Sequence, residues 1–403
     1  MGLLQRLNPF RKPSEDDFAR IVGQALSELT GEDPKYEREE FRLVRSDGAF
    51  LFLGNAYADY LRASTGERKL IVERYAQLAA NTPDIPSTWE EAAPRLMPVV
   101  RDLGYYANIA RSESGASLDT TRAPFVGTLV ADLVVDTEQA MAMVNPDAFE
   151  DWGGSREEAM EQALHNLRRA SDADFVELQP GIYQSNYGDA YDSSRILLPD
   201  VLHRLGLAGD PVVVAPVRDM LLVTGDRAAA LAELPELAER VMDGGGRPLA
   251  FQAIVHRDGS WGLFDPPEGD PLRLAFARLR LLDVLRSYQE QKAQLDTTHE
   301  AQGVDLFVAS YQARKLDDGT LETFCVWTRD VDTLLPMTDR VFLVLDPAGP
   351  KSEENFFVVS WADVMEVTGE LLERVPEMWP VRYRARAFPE GPALEVLRAK
   401  ART

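Results

Sequence analysis

The sequence predicts an α+β protein, with mixed or antiparallel sheets, flanking helices and two to three modules. Three observations carry this. Short apolar runs follow one another closely with turn residues between them, as in "DPVVVAPVRDMLLVTG" (210–225). Helical periodicity comes in separate blocks rather than after every strand, which favours segregated helices over a doubly wound parallel sheet. The chain has 403 residues, 45% of them hydrophobic, enough for two or three cores at roughly 100–200 residues per domain.

The elements come in this order. Ser14 precedes "EDDFARIVGQALSELTG", where Phe18, Ile21, Val22, Ala25, Leu26 and Leu29 recur at three and four, so a helix should run to Gly31. "EEFRLVRSDGAFLFLGNAY" reads as two strands joined at Ser46-Asp47-Gly48, since Asp-Gly supplies the positive φ of a tight hairpin. A helical stretch continues to about Ala80. "STWEEAAPRLMPVVRDL" predicts another helix, because Thr88 and Glu91 have capping-box spacing. These elements form an expected module at 1–110.

Residues 111–123, "RSESGASLDTTRA", are small and polar and read as a linker. A central module is expected at 124–268. It opens with the strand-like "FVGTLVADLVVD", followed by the helix "SREEAMEQALHNLRRA", whose Ser155 and Glu158 again match a capping box. Next are strands at 174–178 and 181–185, two more in 210–225, a helix through Leu231, Leu234, Ala238 and Val241 stopped by Gly244-Gly245-Gly246, and strands in "RPLAFQAIVHRDGSWGLF". "DPPEGDP" (265–271) reads as a rigid exposed turn between modules. The last module, 269–403, begins with a long helix near 271–300. It continues through a hairpin at Asp318-Gly319, strands "DRVFLVL" and "NFFVVS", a helix opened by Ser360, and "VRYRARAF". The order strand, strand, helix, strand occurs at 211–256 and again at 340–388, while the residues themselves hardly repeat.

Composition excludes several classes of function. There are 66 acidic against 43 basic residues, and the net charge of −23 with no basic cluster argues against nucleic-acid binding. The single cysteine, Cys325, lies in an apolar run and reads as a buried small hydrophobe in a reducing, cytoplasmic setting. No apolar run approaches the roughly 18–20 residues a membrane span needs. "MGLLQRLNPFRKP" lacks a signal-peptide core, and its cations and apolar residues allow at most a peripheral membrane contact. The histidines at 165, 203, 256 and 299 show no ligand spacing, so no metal is expected, and no phosphate-binding loop or nucleophile elbow appears, so no cofactor is expected either.

The most informative stretch is "GDAYDSSRILLPDVLHRLG" (188–206). Asp189 can cap a helix starting near Ala190, and Asp192 suits its first turn. Tyr191, Ser194, Leu197, Leu198, Val201 and Leu205 mark a buried face, and Pro199 kinks the helix or restarts it. Arg195 has no such local role beyond pairing with Asp192 or covering Tyr191. A second arginine-aspartate pair, Arg218-Asp219, interrupts the apolar strands of 211–225. If the two regions adjoin, Asp189, Asp192, Arg195, Arg218 and Asp219 converge. Such a group is either a closed salt-bridge network or a site for a carboxylate, a phosphate or a partner's charged side chain.

Four stretches, "NAYADYLR" (55–62), "PVVRDLGYY" (98–106), "GDAYDSSRILLPD" (188–200) and "PVRDMLLVTG" (216–225), together resemble the bacterial domain of unknown function 1444, the YtpQ-like proteins, over about residues 10–265. The resemblance implies a soluble bacterial protein and supplies no catalytic residues. The functional expectation is therefore a non-catalytic binding or accessory protein, whose partner is a protein or a small acidic ligand. The alternative is an enzyme, a hydrolase, using the arginine-aspartate group at 189–219.

Overall fold

The computed structural model describes residues 13–38, 41–46, 50–80, 85–112, 123–136, 141–172, 175–243, 248–317, 319–350, 352, 354–376 and 378–401. The basic N-terminal segment, the Asp47-Gly48 turn, most of the 111–123 stretch, the glycines at 244–246 and Asp318 lie outside these residues. The architecture is α+β with several mixed and antiparallel sheets. No helix among the described residues is long and apolar enough to cross a membrane.

The chain divides into two compact units, Met1–Met97 with Leu133–Ala163, and Pro98–Asp132 with Leu164–Thr403. This division is discontinuous, unlike the consecutive modules read from composition. Polarity marks exposed loops, whereas a unit is defined by which segments pack together, and here segments far apart in sequence do so.

The first unit begins with α1 (Glu15–Thr30), β1 (Lys35–Glu37), β2 (Arg42–Val44), β3 (Phe50–Phe52), α2 (Gly54–Arg62), α3 (Arg68–Ala80) and α4 (Trp89–Ala92). Ser14 caps α1 by accepting the Asp17 N–H, and Gly31 ends it at φ +76°, a conformation glycine adopts without a Cβ penalty. Phe18, Val22 and Leu26 of α1 pack with Leu43 of β2 and Tyr75 and Ala76 of α3.

The helix expected over "STWEEAAPRLMPVVRDL" is one turn long. Pro94 lies in the first turn of a 3-10 segment (Ala93–Arg95), and the chain then extends as β4 (Leu96–Asp102). A helix through Pro94 and Pro98 would lose backbone bonds at both, and Val99 and Val100 suit a strand. The Thr88 side chain makes no capping bond.

Next come α5 (Leu103–Ser112), β5 (Ala123–Val126), β6 (Leu129–Asp136), β7 (Met141–Met143), α6 (Asp147–Trp152) and α7 (Arg156–Arg169). The capping box of α7 forms as expected: Ser155 N–H donates to the Glu158 carboxylate at 2.8 Å, and Glu158 N–H to Ser155 Oγ at 3.2 Å.

The second unit continues with β8 (Phe175–Gln179), β9 (Ile182–Ser185), a 3-10 segment (Ser193–Leu197), α8 (Pro199–His203), β10 (Pro211–Val217), β11 (Met220–Gly225), α9 (Leu234–Asp243), β12 (Pro248–Arg257), β13 (Ser260–Leu263) and α10 (Arg273–Gln302). Its strands form a six-stranded sheet in the order β13-β12-β10-β11-β9-β8, antiparallel at each pairing. Val212 and Val214 of β10 face the core built with Leu234, Ala238, Phe276 and Leu279. Val213 and Ala215 face the core built with Val100, Leu129, Ile196 and Leu202. Burial on both faces is why "PVVVAPV" is uniformly apolar rather than alternating.

The remainder comprises β14 (Phe307–Val308), β15 (Gln312–Lys315), β16 (Leu321–Thr328), β17 (Thr333–Pro336), β18 (Arg340–Val344), β19 (Phe356–Ser360), α11 (Trp361–Thr368), β20 (Leu372–Arg374), β21 (Arg382–Ala385) and α12 (Gly391–Ala401). Ser360 caps α11 as expected. Cys325 is buried, and burial pushes its thiol up to about 12, as a small hydrophobe requires. The repeated element order does not produce a repeated topology. β12 returns to pair with β10, whereas β21 joins β17 and β20 in a different sheet from β18 and β19.

Candidate functional site

The 187–206 stretch is a tight polar corner followed by two short helical pieces. Pro199 opens the second piece, so it restarts the helix rather than kinking a continuous one. Gly188 and Ala190 both have φ of +66°, the left-handed region that an alanine enters only under constraint. The constraint comes from two aspartates. Asp192 is buried and accepts the N–H groups of Tyr187 and Gly188, each at 3.1 Å. Asp189 accepts the Tyr191 N–H at 3.0 Å. Asp189 is not the cap of a helix starting near Ala190, and Asp192 precedes the first turn rather than lying in it: the polar side chains close a turn before the helix begins.

Arg195 is 0% exposed and closed on protein partners. Its fork meets Asp189 through Nη1 at 2.9 Å and Nη2 at 2.7 Å. Nε donates to Ser171 Oγ at 2.9 Å, and Nη2 also donates to the Ala170 carbonyl at 2.9 Å. The guanidinium lies 3.3 Å from the centre of the Tyr187 ring. Burial raises the Asp189 carboxyl, but the Arg195 fork and the Tyr191 N–H outweigh it and hold it below the usual carboxylate range. Arg195 therefore pairs with Asp189 rather than Asp192, and covers Tyr187 rather than Tyr191.

The five sequence candidates do not form one cluster. Arg218 and Asp219 are the turn of the β10–β11 hairpin, which explains the interruption of two apolar strands. Asp219 is exposed. The two regions touch through the backbone, where Ser193 N–H donates to the Arg218 carbonyl at 3.3 Å. The Arg218 guanidinium turns to Tyr105 instead, 4.8 Å from its ring centre.

That turn leads to a second ionic group. It is built by the β4–α5 corner, the hairpin tip and the middle of α10. Asp102 ends β4 and accepts the Tyr105 N–H at 3.3 Å, starting α5. A Cβ at Gly104 would lie 2.7 Å from Asp102 Oδ1, so a side chain there would push the Asp102 carboxylate from its place. Asp283 of α10 is buried, and its Oδ1 accepts from Arg286 Nη2 at 3.0 Å. The same nitrogen donates to the Leu249 carbonyl at 3.2 Å.

The carboxyls of this group are dehydrated. Burial pushes Asp283 up to about 7 against the pull of Arg286, and the charge of Asp102 adds to the rise. Burial raises Asp102 as well, against Arg286 and Arg218. Glu290, one turn beyond Arg286, has an exposed surface, yet loss of hydration raises its carboxyl too. Around Tyr105 lies a further arginine, Arg101, whose guanidinium is 5.9 Å from the ring centre. Tyr106, its neighbour, is buried and donates to Asp132 at 2.9 Å.

Two other arrangements were not visible in sequence. His203 Nε2 and His256 Nδ1 lie 3.0 Å apart although no ligand spacing links them in the chain. Burial and the neighbouring His203 lower His256, partly offset by Asp210. No group of three or more metal-ligating side chains occurs among the described residues. "DPPEGDP" is exposed as expected except at Pro266 and Asp270, and its Asp265, Pro266, Pro267 and Asp270 line a recess of about 380 Å³ with Arg227 and Arg257.

Comparison with protein families, curated proteins and solved structures finds no match to this chain. The functional reading therefore rests on the geometry alone.

Proposed function

We propose that this is a non-catalytic binding protein, whose binding site is the ionic group formed by Asp102, Tyr105, Arg218, Asp283 and Arg286. The observation that carries the reading is convergence. Three segments far apart in sequence, the β4–α5 corner, the β10–β11 tip and α10, bring charged side chains around Asp102: Arg218 lies over the Tyr105 ring, Arg286 holds Asp283, and both arginines pull on the Asp102 carboxyl. Packing alone does not ask for this, because buried charges cost free energy unless paired and hydrogen-bonded. The partner is a small acidic ligand or a charged segment of another protein. The net charge of −23 speaks against nucleic acid. A cytoplasmic bacterial origin and membership of the domain of unknown function 1444 family belong to the same proposal. Two of the four stretches behind that resemblance, 98–106 and 216–225, supply Asp102, Tyr105 and Arg218.

The test is a thermal-shift screen of metabolites on the full chain and its Arg218→Ala variant. A compound that raises the melting temperature of the parent and not of the variant is the expected result. Stabilising compounds that act equally on both would place binding elsewhere.

A catalytic reading has one observation in its favour. Asp283, near 7 and coupled to Asp102, is matched to proton transfer at neutral pH. Turnover of a screened compound, abolished in Asp283→Asn, would replace binding with catalysis.

A further inference from the structure

Arg101 is a buried cation with no ion-pair partner among the described residues. The residue is 7% exposed. Nη1 donates to the carbonyl of its own neighbour, Val100, at 2.8 Å. Nε is buried without an acceptor. No carboxylate lies within ion-pairing distance of it among the described residues. Two other buried arginines make more hydrogen bonds than Arg101 does. Arg195 holds a carboxylate fork, a hydroxyl and a carbonyl. Arg382, also 0% exposed, donates to Gln291 Oε1 at 2.6 Å and to the carbonyls of Ala309 and Leu334 at 2.7 and 3.0 Å.

The surroundings sharpen the contrast. Arg218 lies against the same ring of Tyr105, so two like charges share one aromatic support. The nearby carboxylates have other partners, although the charge of Asp102 is felt by Arg286 and Arg218. Asp283 is bonded to Arg286, and Asp102 to the start of α5. Arg286 also keeps a buried Nε without an acceptor. The aromatic face can orient a guanidinium plane, but its quadrupole does not replace a counter-ion. A planar fork with free N–H groups matches the paired oxygens of a carboxylate or phosphate, and a desolvated setting strengthens such bonds.

We propose that Arg101, together with Arg218 across the Tyr105 ring, binds the oxyanion group of the ligand, a carboxylate or a phosphate. This rests on the binding reading above and names the chemistry of its ligand. The carboxylate and phosphate forms share the recognition and differ in source, so both are tested.

Isothermal titration calorimetry on the full chain, in chloride buffer at fixed ionic strength, uses inorganic phosphate in one arm and malonate in the other. At least one probe should bind saturably, and the tighter one names the source. Arg101→Met should weaken that binding at least tenfold. Arg101→Lys keeps the charge and removes the fork, so it tests the same point in a protein that retains the cation; its affinity should fall between the two. Binding unchanged in both variants would overturn the inference. So would heats that depend only on ionic strength. A neutral ligand that needs Arg218 and ignores Arg101 would overturn the oxyanion inference while leaving the binding reading in place. No saturable ligand of any class, in the calorimeter or in the screen, would remove both.

Discussion

Arg195 and Arg101 are buried arginines of the same unit, and they are treated in opposite ways. Around Arg195 the chain has supplied everything a guanidinium asks for: a bidentate carboxylate, a hydroxyl, a carbonyl and an aromatic face. Around Arg101 it has supplied one carbonyl and a more distant ring. On the proposal above, the difference separates a charge that builds the fold from one that meets an oxyanion. Burial of a charge alone does not identify a site.

The largest expected effect is on the closed side. Arg195→Met removes the buried guanidinium that pairs with the partly exposed Asp189 and leaves Ser171 Oγ and the Ala170 carbonyl without its N–H groups. It should cost roughly 3–5 kcal/mol, read as a lower urea midpoint at unchanged slope. A loss of about 1 kcal/mol or less would show that the corner at 187–195 is an ordinary surface pair and would break the comparison.

Asp283 sharpens it at intermediate size. Its folded-state value, raised from 3.8 to about 7, exceeds the unfolded one, so the folded protein binds the extra proton. That contribution to stability is fully present below about pH 4 and is lost as pH rises through 7. At about 1.4 kcal/mol per unit, its ceiling is about 4 kcal/mol. Denaturant unfolding from pH 4.5 to 8 should show the parent losing stability relative to Asp283→Asn as pH rises. Parallel curves would mean that Asp283 ionises normally and that the ionic group is hydrated.

The smallest effect concerns the histidine pair. His256 should titrate below the ordinary histidine value in an NMR pH series, because burial and His203 disfavour its charged form. Protonation is then opposed in the folded state, so a slight loss of stability appears as pH falls through the unfolded value. His203→Gln should move the His256 midpoint upward. A midpoint unmoved by that change would deny their contact.

Legibility in the sequence depends on the range of the interaction. The caps of α1, α7 and α11 are readable because Ser14, Ser155 and Ser360 act on backbone three residues away. The alternation of cores on β10 is readable as a long apolar run, though not which face meets which helix. The expected helix at 87–103 fails because the Thr88–Glu91 spacing describes one turn, whereas Pro94, Pro98 and the valines set the extended conformation beyond it. Arg218 stands out as a charge between apolar strands. Its surroundings, Tyr105 and Asp102, come from a segment that sequence spacing cannot bring to it. Asp283 itself is one acidic residue among 66, on a long polar-apolar helix. Arg195 and Asp189 stand out in the same stretch, but the partner that completes the closure, Ser171, lies 24 residues away.

The most direct measurement compares the melting temperatures of Arg195→Met and Arg101→Met with the parent, in one chloride buffer free of carboxylate and phosphate. The two substitutions are chemically identical, and each removes a buried guanidinium. The account predicts opposite signs. Arg195→Met melts several degrees lower, because its partners are left unsatisfied. Arg101→Met melts higher, because an apolar chain replaces a buried charge that had no counter-ion. A lower melting temperature for both would contradict the account, since Arg101 would then be a structural residue like Arg195.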